Sequence, residues 1–577
     1  MGFRVLRAGA GILRGGMLSP PSGNGGPLEE RLNSLAVSVF DCQTTGASPG
    51  RGRLLELAWT VIHPPQLHRD AEVHSFMVAL PPGETVPPRV SRITGITDEM
   101  LHGCIAPAEL ARLIMPVLQG TLPVAHFASF EERWIGYLIE GIPGEAVLPC
   151  FICTREIARR LYPGVPRKGI RALAGFMGFT MGEKRRAGLH VLATVRIWKN
   201  MLRDLEDIGI TTVTQLEEFL SLPVPESEGG FRYPLPRDVR LSLPDSPGVY
   251  RFLSGDGAVL YAGKATSLRS RVNSYFTRRR GSERTLELVS QVHGLRVDVC
   301  ETPLEAAMLE FRMIREYDPP YNVALRERGA GVSFLSPDLR QEMEGPGEGP
   351  AWGPVPSCST ALILGELLEA LNSGGVVPAS RLGLDYLPLS RGALEEGFER
   401  FRRRVTPVPG LTASELLATG KDFWLSGHEG ESEDVSEGDA EGIGEPGKGM
   451  DGQGVADHLS WVLASGARDL RRGAWFCLLG WSVILWRPAA GGGERVVSLE
   501  AGGMKEARWR HGEPVPAAAR LTRTERQGLI SGGVYDMLRV LDSEVRRVTA
   551  DGSLEAVHVP GGGCLDLERM NSLYLSI

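Results

Sequence analysis

Residues 243–264 read Leu243-Pro-Asp-Ser-Pro-Gly-Val-Tyr250-Arg-Phe-Leu-Ser-Gly-Asp-Gly-Ala-Val-Leu-Tyr261-Ala-Gly-Lys264. Two short apolar runs, each carrying a tyrosine, flank a Ser-Gly-Asp-Gly turn. This is the pattern of a β-hairpin, because the turn residues tolerate the tight backbone and the apolar runs form strands. The stretch therefore predicts two paired strands, one with Tyr250 and one with Tyr261, in a small α/β unit.

A helix is predicted directly after the hairpin. Ser267 can cap its first turn, because a serine oxygen accepts a backbone N–H there. The apolar positions at i, i+4 and i+7 predict a buried stripe of Leu268, Val272 and Tyr275. Arg271 falls at the edge of this stripe, and we expect it to face a half-buried site.

A second helix is predicted from Thr302, with Pro303 at its first position. It carries Glu310, a lone carboxylate that can hold one divalent cation, Mg²⁺ or Mn²⁺, which keeps several waters. Such an ion polarises a phosphate and acidifies a water. The residues in this unit therefore predict metal-assisted phosphodiester hydrolysis.

The remaining polar residues of the unit suit the same reaction. The planar guanidinium of Arg271 matches phosphate oxygens. Tyr250 and Tyr261 can relay a proton from the attacking water, although a free phenol titrates near ~10 and needs a nearby cation. Lys264 is a candidate for that cation.

These residues resemble the GIY-YIG nuclease superfamily, and most closely the nuclease half of UvrC, the bacterial excision-repair incision subunit, and its shorter relative Cho. Five blocks, in the order and spacing of that family, carry the resemblance: Pro244–Tyr250, Leu260–Ala265, Leu268–Phe276, Glu305–Glu310 and Pro319–Val323. It extends over about residues 239–370, including Gly331-Val-Ser-Phe and Trp352-Gly-Pro-Val. Only Val249 and Ala262 replace the signature isoleucines, and neither position carries a functional group.

The resemblance implies a metal-dependent endonuclease of DNA repair, associated with nucleotide excision repair and the SOS response. It implies that Glu310 is the metal ligand. The catalytic residues that it implies are Tyr250, Tyr261, Lys264, Arg271, Tyr275 and Asn322. An inactive relative that only binds DNA is the alternative.

A basic stripe lies in the same segment. Between positions 264 and 280 there are six cations and no acid, with Tyr275 and Phe276 among them. Such a stripe can neutralise phosphates while aromatic rings contact bases or sugars. Besides Lys264 and Arg271, the predicted DNA-binding residues are Arg269, Arg278, Arg279 and Arg280. For 278–280 alone, a solvated helix end is the alternative. The net charge of −7 does not oppose DNA binding, because eight acids lie between Glu429 and Glu445.

A second resemblance lies upstream. Phe40-Asp41-Cys-Gln43, Arg92–Met100, Val124–Glu131 and Arg185–Thr194 resemble the motifs of the DnaQ-like, DEDD-type 3′–5′ exonucleases. The resemblance covers roughly residues 35–200. It implies a ribonuclease H-like fold and, in the family, a two-metal site built from clustered carboxylates.

Most of those ligands are changed in this chain. Asp41 is kept, but Gln43 replaces a Glu, Glu131 replaces an Asp, and Arg185 and His190 replace the family's His and Asp. An arginine cannot act as a base and repels a metal. We therefore expect a vestigial exonuclease site in a domain that binds DNA or protein. Asp98 or Glu183 would be substitutes if the alignment were shifted, although neither has suitable spacing. A bifunctional exonuclease/endonuclease is the alternative.

The chain of 577 residues is too long for one core. We predict a multidomain α/β protein: a ribonuclease H-like exonuclease fold, then a small α/β GIY-YIG domain, then a C-terminal α+β region. The predicted segments are a disordered N-terminus (1–34), the exonuclease-type domain (35–200), a connector (201–238), the GIY-YIG domain (239–330), a UvrC/Cho-like extension (331–425), an acidic Gly-rich linker (426–455) and a C-terminal domain of unknown function (456–577).

In that last domain we expect a helix over 459–472, a hairpin over 476–486 and tryptophans that are mostly core. The scattered cysteines and the lack of a signal peptide or an apolar run of about 20 residues predict a cytoplasmic protein with no membrane contact. DNA is the expected partner, together with UvrA/UvrB-type repair proteins or the replication machinery.

Overall fold

The computed structural model describes residues 30–63, 72–140, 148–182, 184–225, 230–277, 282–322, 331–346, 351–373, 391–405, 452–487, 494–500, 503–508, 510, 513–518 and 520–576. Four predictions fall outside these ranges: disorder over 1–29, the acidic tract of 429–445, the arginines at 278–280 and the substitute ligand Glu183.

The N-terminal domain is a mixed five-stranded sheet with helices on both faces. Its strand order is β3-β2-β1-β4-β5, with β1 antiparallel to β2 and parallel to β4. The strands are β1 Val37–Thr44, β2 Leu54–Ile62, β3 His74–Met77, β4 Leu122–Ala125 and β5 Ile152–Cys153. The helices are α1 Pro88–Thr94, α2 Asp98–Leu101, α3 Pro107–Gly120, α4 Ala128–Ile139, α5 Thr154–Leu161, α6 Ile170–Phe176 and α7 Ala187–Asp207.

Strand β1 lies at the centre of this domain and is buried on both faces. Val37 and Val39 face a core shared with α7, whereas Phe40 and Cys42 face one shared with α3 and α4. A central strand covered on both sides has a nearly continuous apolar sequence, which is why residues 37–40 read as a buried strand. Asp41, which lies on this strand, is therefore buried.

The packing at both ends of this domain favours wider boundaries than the predicted ones. Leu32 is only 3% exposed and Arg31 bridges to Thr212, which favours a domain that begins before residue 35. Helix α7 runs through residue 200, and the connector helix α8, Val213–Ser221, contributes Val213 and Leu216 to the same core. The division at residue 200 stays a prediction, and this packing favours a boundary after α8.

The next domain is the predicted small α/β unit. It has the sheet order β7-β6-β8, with β6 antiparallel to both neighbours. Its strands are β6 Gly248–Leu253, β7 Val259–Ala265 and β8 Gly294–Val299, and its helices are α9 Arg237–Leu241, α10 Leu268–Thr277, α11 Glu283–Val289 and α12 Pro303–Tyr317. Thus the hairpin and both predicted helices are present.

The buried stripe of α10 differs by one residue. Its buried side chains are Leu268, Val272 and Phe276, at i, i+4 and i+8. Tyr275, which was predicted to be core, is only half-buried. Phe276 packs into the apolar interior, which leaves the Tyr275 hydroxyl free to reach the hairpin.

The extension and the start of the C-terminal region share one core. Strands β9 Ser333–Leu335, β10 Glu342–Met343 and β11 Trp352–Val355 form a small sheet with the order β10-β9-β11. Helices α13 Ser359–Ser373 and α14 Arg391–Val405 pack on the long helix α15 Gly452–Leu479. Val455 is buried in this core, which favours an earlier end for the predicted linker.

The C-terminal domain is a five-stranded antiparallel sheet with helices, an α+β arrangement. The strand order is β14-β13-β12-β15-β16. Its strands are β12 Val483–Trp486, β13 Arg495–Glu500, β14 Gly503–Arg508, β15 Leu554–Val559 and β16 Gly563–Asp566, and its helices are α16 Arg523–Gly528, α17 Gly532–Ala550 and α18 Leu567–Ser576.

The hairpin predicted over 476–486 is wrong in its first half. Phe476 belongs to α15, and β12 pairs instead with β13 and β15. A short apolar run does not distinguish a buried helix from a buried strand. The tryptophan prediction is confirmed for Trp475, Trp481 and Trp486, each at most 3% exposed, whereas Trp461 is 38% exposed. Within the described part of the chain, no helix combines the length and apolar character needed to cross a membrane.

Candidate active site

Three tyrosines from two strands and one helix meet beside the hairpin. Tyr250 comes from β6, Tyr261 from β7 and Tyr275 from α10, with ring centroids 6.0–6.1 Å apart in each pair. The hydroxyls of Tyr250 and Tyr275 are hydrogen-bonded at 2.9 Å. The three tyrosines that the resemblance implied as catalytic residues therefore lie together.

Gly263 makes the tyrosine cluster possible. A Cβ atom at this position would lie 2.5 Å from the Tyr250 hydroxyl and 2.8 Å from the ring of Tyr261. The signature glycine is thus explained by close packing of the two phenols over the strand backbone.

Arg271 supplies positive charge to the cluster. Its guanidinium carbon lies 5.4 Å from the centre of the Tyr275 ring. The Arg271 side chain itself is exposed, one turn before Tyr275 on α10. It can therefore reach a phosphate at the surface while it contacts the phenols.

Burial dominates the acidity of the phenols. It raises the pKa of Tyr250 well above the ordinary value, and Tyr261 and Tyr275 raise it further, while Arg271 offsets part of the shift. The pKa of Tyr261 is also raised, by burial first and then by Tyr275 and Glu310. The cation at the phenols is Arg271 and not Lys264, contrary to the sequence expectation.

Glu310 lies on α12, beside the end of β7. Its Oε1 accepts the backbone N–H of Lys264 at 2.9 Å. Burial raises the pKa of Glu310, and the neighbouring Glu544 adds to the rise, whereas Lys264 and Arg271 lower it. The carboxylate predicted to bind the metal is therefore half-buried and next to the tyrosine cluster.

Asn322 closes the site from behind. Its side-chain oxygen accepts the N–H of Ala262 at 3.0 Å, and its amide donates to the Ala262 carbonyl at 2.9 Å. This pair of bonds attaches the chain after α12 to the free edge of β7, as a neighbouring strand would. Asn322 thus has a positioning role in this geometry, with its polar atoms turned to the backbone.

The side chain of Lys264 points to a residue that the sequence did not predict. Its ammonium forms an ion pair with Glu544 of α17, in the C-terminal domain. Glu544 is 6% exposed, and its other oxygen accepts from Arg547 Nε at 2.9 Å. No local motif marks Glu544, because it lies 280 residues from Lys264.

Arg269 is placed less openly than predicted. Its Nε donates to the carbonyl of Leu243 at 2.7 Å, which ties α10 to the segment before β6. Its role in DNA binding stays a prediction.

In the exonuclease-type domain, the structure brings together four of the five predicted site residues. Gln43 Nε2 donates to Asp41 Oδ2 at 2.7 Å, and His190 Nδ1 lies 3.1 Å from Asp41 Oδ1. Glu131 is 3% exposed, and its buried Oε2 makes no hydrogen bond within the described residues. Burial raises the pKa of Glu131 well above its usual range, and Asp41 raises it further.

Arg185, the fifth residue, is exposed, and its backbone N–H donates to Ile93. The arginine that enters the site region is its neighbour. Arg186 forms an ion pair with Glu56 at 3.0 Å, and Glu56 also accepts the N–H of Ala187 at 2.9 Å. Glu56 is 1% exposed and lies opposite Gln43 across β1 and β2, a contact the sequence analysis missed.

These donors do not fit a pair of metal ions. Both oxygens of Asp41 have partners within the protein, and Glu56 is occupied by Arg186. In the part of the chain that is described, no group of three or more His, Cys, Asp or Glu side chains is arranged to hold a metal. Asp98, the proposed substitute, is engaged by the N–H of Val86 at 2.7 Å, and Glu183 lies outside the described residues.

Two family models match the chain. Residues 246–323 match the UvrC-like GIY-YIG domain, and residues 38–181 match the exonuclease family. The chain therefore contains an exonuclease-type domain followed by a UvrC-like GIY-YIG domain, as the two resemblances implied. The fold class, multidomain α/β, is confirmed as well.

Two curated relatives match parts of this chain. A Mycobacterium tuberculosis protein named as a bifunctional exonuclease/endonuclease is 29% identical over 51% of this chain and 45% of its own length. UvrABC system protein C of a Psychrobacter species is 32% identical over 33% of this chain and 32% of its own. The chain thus spans less than half of the length of either relative.

A solved structure is similar to the GIY-YIG part. The N-terminal endonuclease domain of UvrC from Thermotoga maritima, described as bound to magnesium, is 34% identical, covers 15% of this chain and 94% of its own, and has a TM-score of 0.14.

Proposed function

We propose that this chain is a metal-dependent DNA endonuclease of DNA repair, and that the GIY-YIG domain is its cutting centre. The observation that carries the proposal is the meeting of three phenols and Arg271 beside the half-buried Glu310. Phosphoryl-transfer sites combine a cation-binding carboxylate, an arginine for the phosphate and hydroxyls that handle protons.

The residues at Glu310 fit one hard cation such as Mg²⁺ or Mn²⁺. A carboxylate oxygen is the ligand that these ions prefer, and Mg²⁺ is commonly held by one or two carboxylates with water and phosphate completing its shell. When bound, the cation polarises the phosphate and acidifies a water. Relatives of the domain are described as bound to a divalent cation.

The protein's own residues supply orientation and hydrogen bonds. Arg271 holds the phosphate at the exposed edge of the cluster. The phenols of Tyr250 and Tyr261 stay protonated, since their pKa values are raised, and they donate hydrogen bonds to water or phosphate. The bond between Tyr250 and Tyr275 keeps the Tyr250 hydroxyl in place.

A plasmid-nicking assay with Mg²⁺ or Mn²⁺ tests the proposal. Glu310→Ala and Arg271→Ala are each expected to lower nicking by about 100-fold or more, the loss typical of a removed electrostatic group. Glu316→Gln is the matched control, because Glu316 is exposed on the same helix. Cleavage that is equal or absent in wild type and all variants would reject the enzyme in favour of a DNA-binding scaffold.

We further propose that the exonuclease-type domain serves mainly as a DNA- or protein-binding module. The support is that Asp41 is already hydrogen-bonded to Gln43 and His190. Degradation of 3′-labelled single strands is the test. If degradation occurs, is lost in Asp41→Ala and survives in Glu310→Ala, the protein is instead a bifunctional nuclease.

For partners we propose DNA together with UvrA/UvrB-type repair proteins or the replication machinery, in the cytoplasm. The support is the likeness to UvrABC system protein C. Co-purification with such proteins after DNA damage tests it, and recovery of the chain without any of them would contradict it.

A further inference from the structure

The GIY-YIG site has a side wall made by another domain. Lys264 bonds Glu310 through its backbone N–H, and the same residue's ammonium is paired with Glu544 of α17. Glu544 is almost completely buried, whereas the Lys264 side chain is 37% exposed. Thus a charged residue of the predicted site is held by a carboxylate from the C-terminal domain.

Helix α12 explains why that carboxylate arrives at this place. Its residues Leu304, Ala307, Met308 and Phe311 lie in the core of the C-terminal domain. Ala306 and Met313, on another face, pack on Val249 and Ala262 of the GIY-YIG sheet. At 3.6 residues per turn, Glu310 falls on the flank between these two faces. The side chain is therefore directed to the seam where both domains meet.

Ion pairs fix α17 and the C-terminal sheet along α12. Glu301, just before the helix, binds Arg495 at 2.7 Å and Arg508 at 3.3 Å. Near its end, Arg315 binds Asp536 of α17 at 2.6 Å. These pairs lie at the two ends of α12, and the apolar core between them holds Glu544 in register with Lys264.

We infer that Glu544 is a positioning residue of the GIY-YIG site, supplied by the C-terminal domain, which holds the Lys264 ammonium away from Glu310. This inference rests on the proposed function. Without Glu544, the ammonium is free to turn to Glu310, neutralise it and compete with the cation for the same oxygens. The C-terminal domain, for which the sequence showed no motif, thereby becomes part of the nuclease.

The test uses the full chain with Glu544→Gln, Glu544→Asp and the matched control Asp536→Asn, which also removes a carboxylate of α17 that pairs with α12. Two measurements are made: steady-state nicking kcat and KM, and Mn²⁺ affinity by calorimetry without DNA. Thermal unfolding of each variant is recorded beside them.

For Glu544→Gln we expect Mn²⁺ binding to weaken about 3- to 10-fold and kcat to fall at least about 10-fold, with KM for DNA changed less than about 2-fold. Glu544→Asp should recover most of both, because it restores the charge. Asp536→Asn should change neither Mn²⁺ affinity nor kcat, even if its unfolding temperature falls as much as that of Glu544→Gln.

The remaining outcomes separate the inference from its alternatives. Faster nicking by Glu544→Gln would mean that Glu544 inhibits the nuclease. Equal losses of kcat and Mn²⁺ affinity in Asp536→Asn would mean that the Lys264–Glu544 ion pair has only a structural role. Unchanged kinetics and Mn²⁺ affinity in Glu544→Gln, with wild type active, would overturn the inference alone. If wild type does not nick, the proposed function fails and the inference with it, unless Glu544→Gln still weakens Mn²⁺ binding, which would support the link between Glu544 and the cation site.

Discussion

At the scale of single residues, the two sites differ in what their polar groups bind. In the exonuclease-type domain, Gln43 and His190 hydrogen-bond to Asp41, and Arg186 pairs with Glu56. A buried carboxylate must be compensated, and here the compensation comes from side chains where a two-metal enzyme would use cations. In the GIY-YIG domain, Arg271 remains at an exposed edge, where a phosphate can reach it.

His126, near the first of these sites, predicts a pH dependence of stability. It is hydrogen-bonded to Thr154 at 2.9 Å and to the Lys168 carbonyl at 3.0 Å. Burial lowers the pKa of His126 from 6.5 to about 4. The folded protein keeps this ring neutral, whereas the unfolded chain protonates it below pH 6.5. The contribution of His126 to the free energy of unfolding is therefore fully present above pH 6.5 and is lost as the pH falls towards 4.

We expect His126→Gln to flatten this loss, which should amount to about 1–3 kcal/mol. Urea unfolding of the full chain at pH 4.5 and 7.5 measures it. His63→Asn, an exposed histidine in the same domain, serves as control. If wild type and His126→Gln lose the same stability between the two pH values, His126 does not carry the effect.

At the scale of elements, α12 is the piece that the site depends on. It carries Glu310, it packs on the GIY-YIG sheet through one face, and it enters the C-terminal core through another. A helix that is apolar over two faces needs two packing partners. The two apolar faces lie close together around α12, and Glu310 lies on the strip of helix surface between them.

Leu304→Ala should therefore destabilise the C-terminal domain, although residue 304 lies in the GIY-YIG segment of the sequence. Leu304 is 5% exposed within the C-terminal core, so the expected cost is about 2–5 kcal/mol. Urea unfolding followed by fluorescence reports it, because Trp475 and Trp481 lie in the same core. Arg312→Ala, exposed on α12, is the control, and an equally small loss in both would show that α12 is not part of that core.

At the scale of the whole molecule, the GIY-YIG domain contacts both the exonuclease-type domain and the C-terminal domain. The exonuclease-type domain contacts it through the Gly175 carbonyl, which accepts from His293 Nε2 at 2.7 Å, and through Thr180, which donates to Asp256 at 2.7 Å. The turn of the hairpin lies directly against this domain. A Cβ at Gly255 would be 2.6 Å from the Gly178 backbone.

Gly255→Ala is expected to loosen this contact at a cost of about 1–3 kcal/mol, since backbone on both sides must shift. Faster amide hydrogen exchange over residues 175–182 and 290–296 would record the loosening. Gly331→Ala is the control, because a Cβ there meets no atom within 4 Å. Unchanged exchange in Gly255→Ala would mean that the two domains do not hold each other in solution.

The sequence by itself determined the parts that depend on local pattern. The hairpin of Tyr250 and Tyr261, the capped helix after Ser267 and the central strand of Asp41 follow from turn residues, caps and apolar periodicity over a few residues. These signals are short-range, so they survive without knowledge of the rest of the fold. The family resemblance supplied the meeting of the tyrosines with Glu310.

Only the tertiary structure decided which distant charges complete each site. Glu56 with Arg186, and Lys264 with Glu544, are pairs separated by 130 and 280 positions along the chain. Side-chain partners at that distance are set by how domains pack, and no spacing rule encodes them. Domain packing also decides which cation lies at the phenols. Arg271 lies over the Tyr275 ring, whereas the Lys264 ammonium pairs with the buried carboxylate of Glu544. Because Glu544 belongs to the C-terminal domain, the sequence of the hairpin does not predict this pair.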